Sequence, residues 1–141
     1  MAARKSGRTG NIGTALKFLD DENYKELLDV AKSAIDKLSL KNELEFLLCF
    51  AKTEKSKEHF VVVLCEMQNI FRDILALKSG TSNVLISGVD VSSLARKITQ
   101  KKAISCIEVI SNAIITSNQN VNNTLFQTQT VSAIYSAFTS I

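Results

Sequence analysis

An all-α fold, a helical bundle of about six helices, is what this sequence predicts, and three observations carry the prediction. There is no proline, and only five glycines occur in 141 residues. Apolar residues recur at three- and four-residue steps almost throughout, which is the period of one helix face. The length is near that of one domain, roughly 100–150 residues, enough for one core but not for two large ones. No period of 20–50 residues repeats, which argues against a solenoid.

The elements follow in order. "NIGTALKFL" makes a short helix from about Ile12 to Leu19. Asp20, Asp21 and Glu22 then place three carboxylates where a helix N-terminus favours them. Leu27, Leu28, Ala31, Ala34, Ile35 and Leu38 form the apolar face of the helix that follows. Ser39 can cap a third helix bearing Leu44, Leu47, Leu48 and Ala51. Ser56 can cap the longest one, about Lys57 to Ser79, with a stripe of Phe60, Val63, Leu64, Met67, Phe71, Ile74 and Leu77. Val61, Val62, Ile70 and Leu75 add apolar flanks, so this helix belongs at the centre of the bundle. "FVVVLC" alone reads as a strand, but about 22 residues run on without a breaker, and length decides for helix. Lys78 and Gly80 close it.

"TSNVLISGV" is a loop or a short extended piece. Asp90 can cap "VSSLARKIT". A helix from about Lys101 to Ser117 carries Ile104, Ile107, Ile110 and Ile114. "SNQNVNN" is a turn by its chemistry, since Asn tolerates positive φ and bonds nearby backbone groups. Asn122 or Asn123 can cap the last helix, which places Val131, Ile134, Tyr135, Phe138 and Ile141 on one side.

Charge is distributed unevenly. Seventeen basic and 14 acidic residues give a net +3, too little for a strong polyanion-binding field. All of them except Glu108 lie at or before Lys102, so Val109 to Ile141 is uncharged. A soluble surface is normally about a quarter to a third charged. Interface centres are depleted in Lys, Glu and Asp because a desolvated lone charge costs several kcal/mol. Neutral Ser, Thr, Asn and Gln can pair across a contact at lower cost. The uncharged hairpin therefore suits either a surface that packs on protein or a buried centre of its own domain. Polar residues interrupt it every two or three positions, so it is no membrane span. The start, "MAARKSGRTGN", lacks the apolar core of a signal peptide.

Catalytic chemistry is sparse. His59 is the only histidine and sits in a lysine-rich helix start, a poor general base. Cys49, Cys65 and Cys106 are widely separated among apolar neighbours, which suits buried thiols in a reducing cytosol rather than a zinc site or a disulfide framework. Asp20–Asp21–Glu22 and Glu43–Glu45 read as helix-start or surface acids. "GRTGNIG" lacks the Gly-Lys-Ser/Thr ending of a phosphate loop. No cofactor is called for. Arg96, Lys97, Lys101 and Lys102 form the tightest basic group, read as a solvated helix face or a weak phosphate contact. Arg72 and Asp73 point about 100° apart on their helix, so they form either an exposed edge or inter-helix contacts that set packing register.

Several of these segments carry a resemblance. "FRDILALKSG" at 71–80, "GVD" at 88–90 and "NVNNTL" at 120–125 resemble the C-terminal region of the bacterial DNA polymerase III delta-prime subunit. Arg72 and Asp73 match that family's Arg-Asp before Leu-Lys in a long helix. Asn120, Asn122 and Leu125 match its Asn-x-Asn-x-x-Leu turn. "SGRTGNIGTALKFL" is similar to the end of an AAA+ lid domain, with Gly10, Gly13 and Ala15 matching best. Gly13 stands where active lids carry a sensor arginine, and Gln127 and Gln129 stand where acids are common.

The resemblance implies a lid remnant and linker over residues 1–20 and a helical collar, or oligomerisation, domain over 21–141. It implies a non-catalytic clamp-loader fragment, cytoplasmic, that joins delta and gamma/tau subunits in the ring that loads the sliding clamp. DNA would be met only through that complex. Leu125, Val131, Ile134, Tyr135 and Phe138 are the candidate partner residues, with core and interface not separated by sequence. An exposed apolar patch would let the isolated fragment self-associate. The rival readings are a helical protein–protein adaptor and a helical nucleic-acid-binding domain.

Overall fold

The computed structural model describes residues 21–80, 91–119 and 122–139. These residues form six α-helices and one 3₁₀ turn, with no strand among them. The helices are α1 (Asp21–Ser39), α2 (Glu43–Leu48), α3 (Lys57–Lys78), α4 (Ser92–Lys97), α5 (Gln100–Thr116) and α6 (Asn123–Thr139). The 3₁₀ turn, Cys49–Thr53, continues α2. The bundle predicted from periodicity is the fold observed. The expected lid remnant, the Ile12–Leu19 helix and the 81–90 segment with its Asp90 cap lie outside the described residues.

α1 begins at Asp21, within the acidic run. It buries Leu27, Val30, Ala31, Ala34, Ile35 and Leu38, while Leu28 is half-buried. The Ser39 hydroxyl does not cap the next helix. It donates to the Asp36 carbonyl at 2.7 Å and so closes α1. Lys41 then takes φ 58, the one left-handed non-glycine residue described, and turns the chain into α2. The true cap of α2 is Asn42, whose side-chain oxygen accepts from the Glu45 amide at 3.2 Å.

α3 runs through the middle. Ser56 caps it by accepting from the His59 amide at 3.1 Å. Gly80, at φ 85, closes it, with the Ser79 amide on the Leu75 carbonyl and the Gly80 amide on the Leu77 carbonyl. Every residue from Phe60 to Phe71 is buried, including Glu66, Gln68 and Asn69. A helix covered on all sides has to satisfy its polar groups internally. Glu66 accepts from the Tyr24 hydroxyl of α1 at 2.7 Å. Gln68 donates to the Ser111 hydroxyl of α5 at 2.6 Å and reaches the Ile107 carbonyl at 3.3 Å. Among the described residues, no buried side-chain nitrogen or oxygen lacks a hydrogen bond.

α5 makes the most extensive contact with α3, then α6 packs on α5. Thr99 caps α5 by accepting from the Lys102 amide at 3.2 Å. Its buried line is Ala103, Cys106, Ile110 and Ala113, ending on Ser117. Of the four isoleucines expected there, only Ile110 is fully buried. Ile107 and Ile114 flank the seam, and Ile104 is exposed. Small residues at the seam let the two backbones approach, and the branched side chains spread to either side.

A run of aromatic rings ties the far ends of the chain together. Phe46 lies 6.1 Å from Tyr135 and 5.3 Å from Phe50. Phe50 lies 5.6 Å from Phe60, and Phe60 lies 5.6 Å from Phe126. Three of these contacts are edge-on, a geometry that adds about 0.5–1.5 kcal/mol each beyond area burial. This run decides the roll of α2. Phe46 and Phe50 face inward, so the leucine face of the expected helix faces out. Leu40, Leu44, Leu47 and Leu48 are 56%, 67%, 43% and 57% exposed. No helix among the described residues is long and apolar enough to cross a membrane.

Candidate protein-interaction surfaces

α6 is built from its cap outward. The Asn122 side-chain oxygen accepts from the Leu125 amide at 2.9 Å, as the turn chemistry predicts. Asn120 lies outside the described residues. One turn in, the Gln127 amide donates to the Thr53 carbonyl at 3.0 Å and to the Asn123 side-chain oxygen at 2.9 Å. Asn123 itself donates to the Glu54 carbonyl at 3.1 Å. These two side-chain amides serve carbonyls at the end of the 3₁₀ turn, where the Thr53 carbonyl also accepts from the Ser56 amide at 3.2 Å. The resemblance placed acids on this stretch, but a carboxylate at 127 could not donate to a carbonyl. At the other end the Tyr135 hydroxyl donates to the Lys41 carbonyl at 3.1 Å.

The candidate partner residues divide accordingly. Val131, Ile134 and Phe138 are buried in the domain's own core. Tyr135 is half-buried against Phe46. Phe138 also lies beneath Lys102, whose ammonium sits 4.6 Å from the ring centroid. None of these three side chains is free to meet a partner, because each is enclosed by the domain itself. Leu125 alone of the five is exposed, at 55%. Periodicity grouped the others correctly on one face, but that face points inward.

What α6 does show to solvent is uncharged. Leu125, Thr128, Gln129, Ser132, Ala133 and Ser136 are all exposed. On α5 the exposed positions include Ile104 and Ile115, with Glu108 the single charge beyond Lys102. So the charge-free composition of the tail reaches the surface as well as the core. The leucine face of α2 is a second apolar surface, and the sequence alone offered no reason to place it outside.

Arg72 and Asp73 separate as their spacing requires. Arg72 is exposed, whereas Asp73 is buried. Arg96, Lys97 and Lys101 are exposed at the α4–α5 junction, while Lys102 is half-buried over the Phe138 ring. The basic group is thus not a free cluster of four.

Burial disfavours the thiolate at two of the three cysteines. Burial pushes Cys106 from its ordinary 9.0 up to about 12, with Lys102 opposing the shift. Cys49 is raised too, chiefly by burial, and its thiol donates to the Glu45 carbonyl at 3.2 Å. His59 is half-buried in the first turn of α3. Among the described residues no three His, Cys, Asp or Glu side chains are grouped to hold a metal ion. Comparison with protein-family models, with curated proteins and with solved structures gives no match.

Proposed function

We propose that this chain is a non-catalytic assembly module whose uncharged α6 surface packs on another protein. The observation that carries this reading is the outer face of α6, solvent-exposed and charge-free, with Leu125 exposed on it. A surface left to water gains solubility from charge, and a surface that must be desolvated is cheaper without it. The particular assembly follows from the resemblance around Arg72, Asp73, Asn122 and Leu125. It is the collar of a cytoplasmic clamp loader, in which a delta-prime-like subunit joins delta and gamma/tau for sliding-clamp loading. In this role the chain supplies contacts and rigidity, and chemistry stays with the ATPase subunits and the DNA polymerase III holoenzyme they serve.

The test is co-purification of the chain with delta and gamma/tau collar domains. A complex at micromolar concentration is expected without ATP. Leu125→Asp should abolish it while leaving helix content and thermal unfolding unchanged, since Leu125 is exposed. No complex, or a complex indifferent to Leu125→Asp, would overturn the reading.

A further inference from the structure

The leucine face of α2 is a more pointed feature than the α6 surface. Leu44, Leu47 and Leu48 project from the side opposite Phe46 and Phe50, and Leu40 adds to them from the preceding turn. Scattered exposed leucines are ordinary, but four within nine residues, three on one short helix and one in the turn before it, are a patch. The charges around it are ordered along the element. Glu43 and Glu45 lie at its start, Lys52 in the 3₁₀ turn that continues it and Lys55 just beyond, all four exposed. Lys41 and Glu54 each place the opposite sign at their end, and the start still stays net negative and the end net positive.

We infer that this face pairs with the same face of a second copy of the chain, the two α2 elements running antiparallel across a two-fold axis. Such an interface is self-complementary: the same patch serves both subunits. Antiparallel pairing sets leucine on leucine at the centre. It also brings Glu43 and Glu45 of each copy towards the basic end of the other. Parallel pairing would set acid against acid and base against base. From Glu43 to Thr53 the element is about 19 Å long, so the buried area is small and the dimer weak. A dissociation constant of roughly 10–100 μM is expected.

Sedimentation equilibrium of the full chain between roughly 5 and 500 μM tests this. The weight-average mass should rise from the monomer towards twice that value. Leu44→Ser with Leu48→Ser should weaken association at least about tenfold, with far-UV circular dichroism unchanged because neither side chain is in the core. Glu45→Lys and Lys52→Glu should each weaken it, and the two together should restore it, because each copy then offers the reversed charge to its partner. A monomer throughout, association indifferent to the leucine substitutions, or a double reversal that fails to restore binding would each overturn the proposal.

Discussion

Gln127 shows how much one atom type can decide. Its amide nitrogen faces the Thr53 carbonyl in a site only 7% exposed. Gln127→Glu removes the donor and presents a buried carboxylate to carbonyl oxygens, at a cost of about 2–4 kcal/mol at neutral pH. Burial would hold that carboxyl's folded pKa above its unfolded value of about 4.3. The folded state then binds more protons than the unfolded one, so stability falls as pH rises. Urea unfolding should find the variant closest to wild type below about pH 4 and progressively weaker above. The α2 roll is open to a parallel comparison. Phe46→Ala should cost about 3–5 kcal/mol, whereas Leu47→Ala should stay within about 0.5 kcal/mol. If Leu47→Ala proves the more damaging, α2 is rolled the other way.

Some helix ends were legible and others were not: Ser39 closes α1 instead of capping α2. Ser56 at α3 and Asn122 at α6 cap their helices through local hydrogen bonds that need only the next three residues. Ser56→Ala should therefore lower stability by about 1 kcal/mol in thermal unfolding. α3 was legible as the centre because apolar residues cover its whole circumference, and only a fully packed helix tolerates that. Faces failed where two apolar stripes competed on one helix. α2 offers Leu44, Leu47 and Leu48 against Phe46 and Phe50. The choice depends on Tyr135 and Phe60, which lie on other helices and meet Phe46 and Phe50 only in the folded chain. α5 offers isoleucines against Ala103, Cys106 and Ala113. There the close approach to α3 favours the smaller side chains, a tertiary constraint that no single-helix pattern contains. Among the candidate partner residues the same gap appears. Periodicity marked Val131, Ile134 and Phe138 as one face without saying that the face points inward.

The molecule as a whole sorts its charge by region. α1 to α4 carry most of the described ionised side chains, and α6 presents none. In α6 the neutral composition does two jobs: Gln127 and Thr130 are buried, while Thr128, Gln129, Ser132 and Ser136 face outward. An assembly contact made through such a surface has little Coulombic content, so its affinity should hardly respond to ionic strength. A contact made through Arg96, Lys97 and Lys101 would respond steeply, as binding to phosphate does. The most direct measurement is the dissociation constant of this chain for an isolated collar domain at about 50 mM and about 500 mM salt, a range over which the Debye length falls severalfold. Micromolar binding that changes less than about threefold is the predicted result. Undetectable binding, or a loss of tenfold or more at the higher salt, would contradict it.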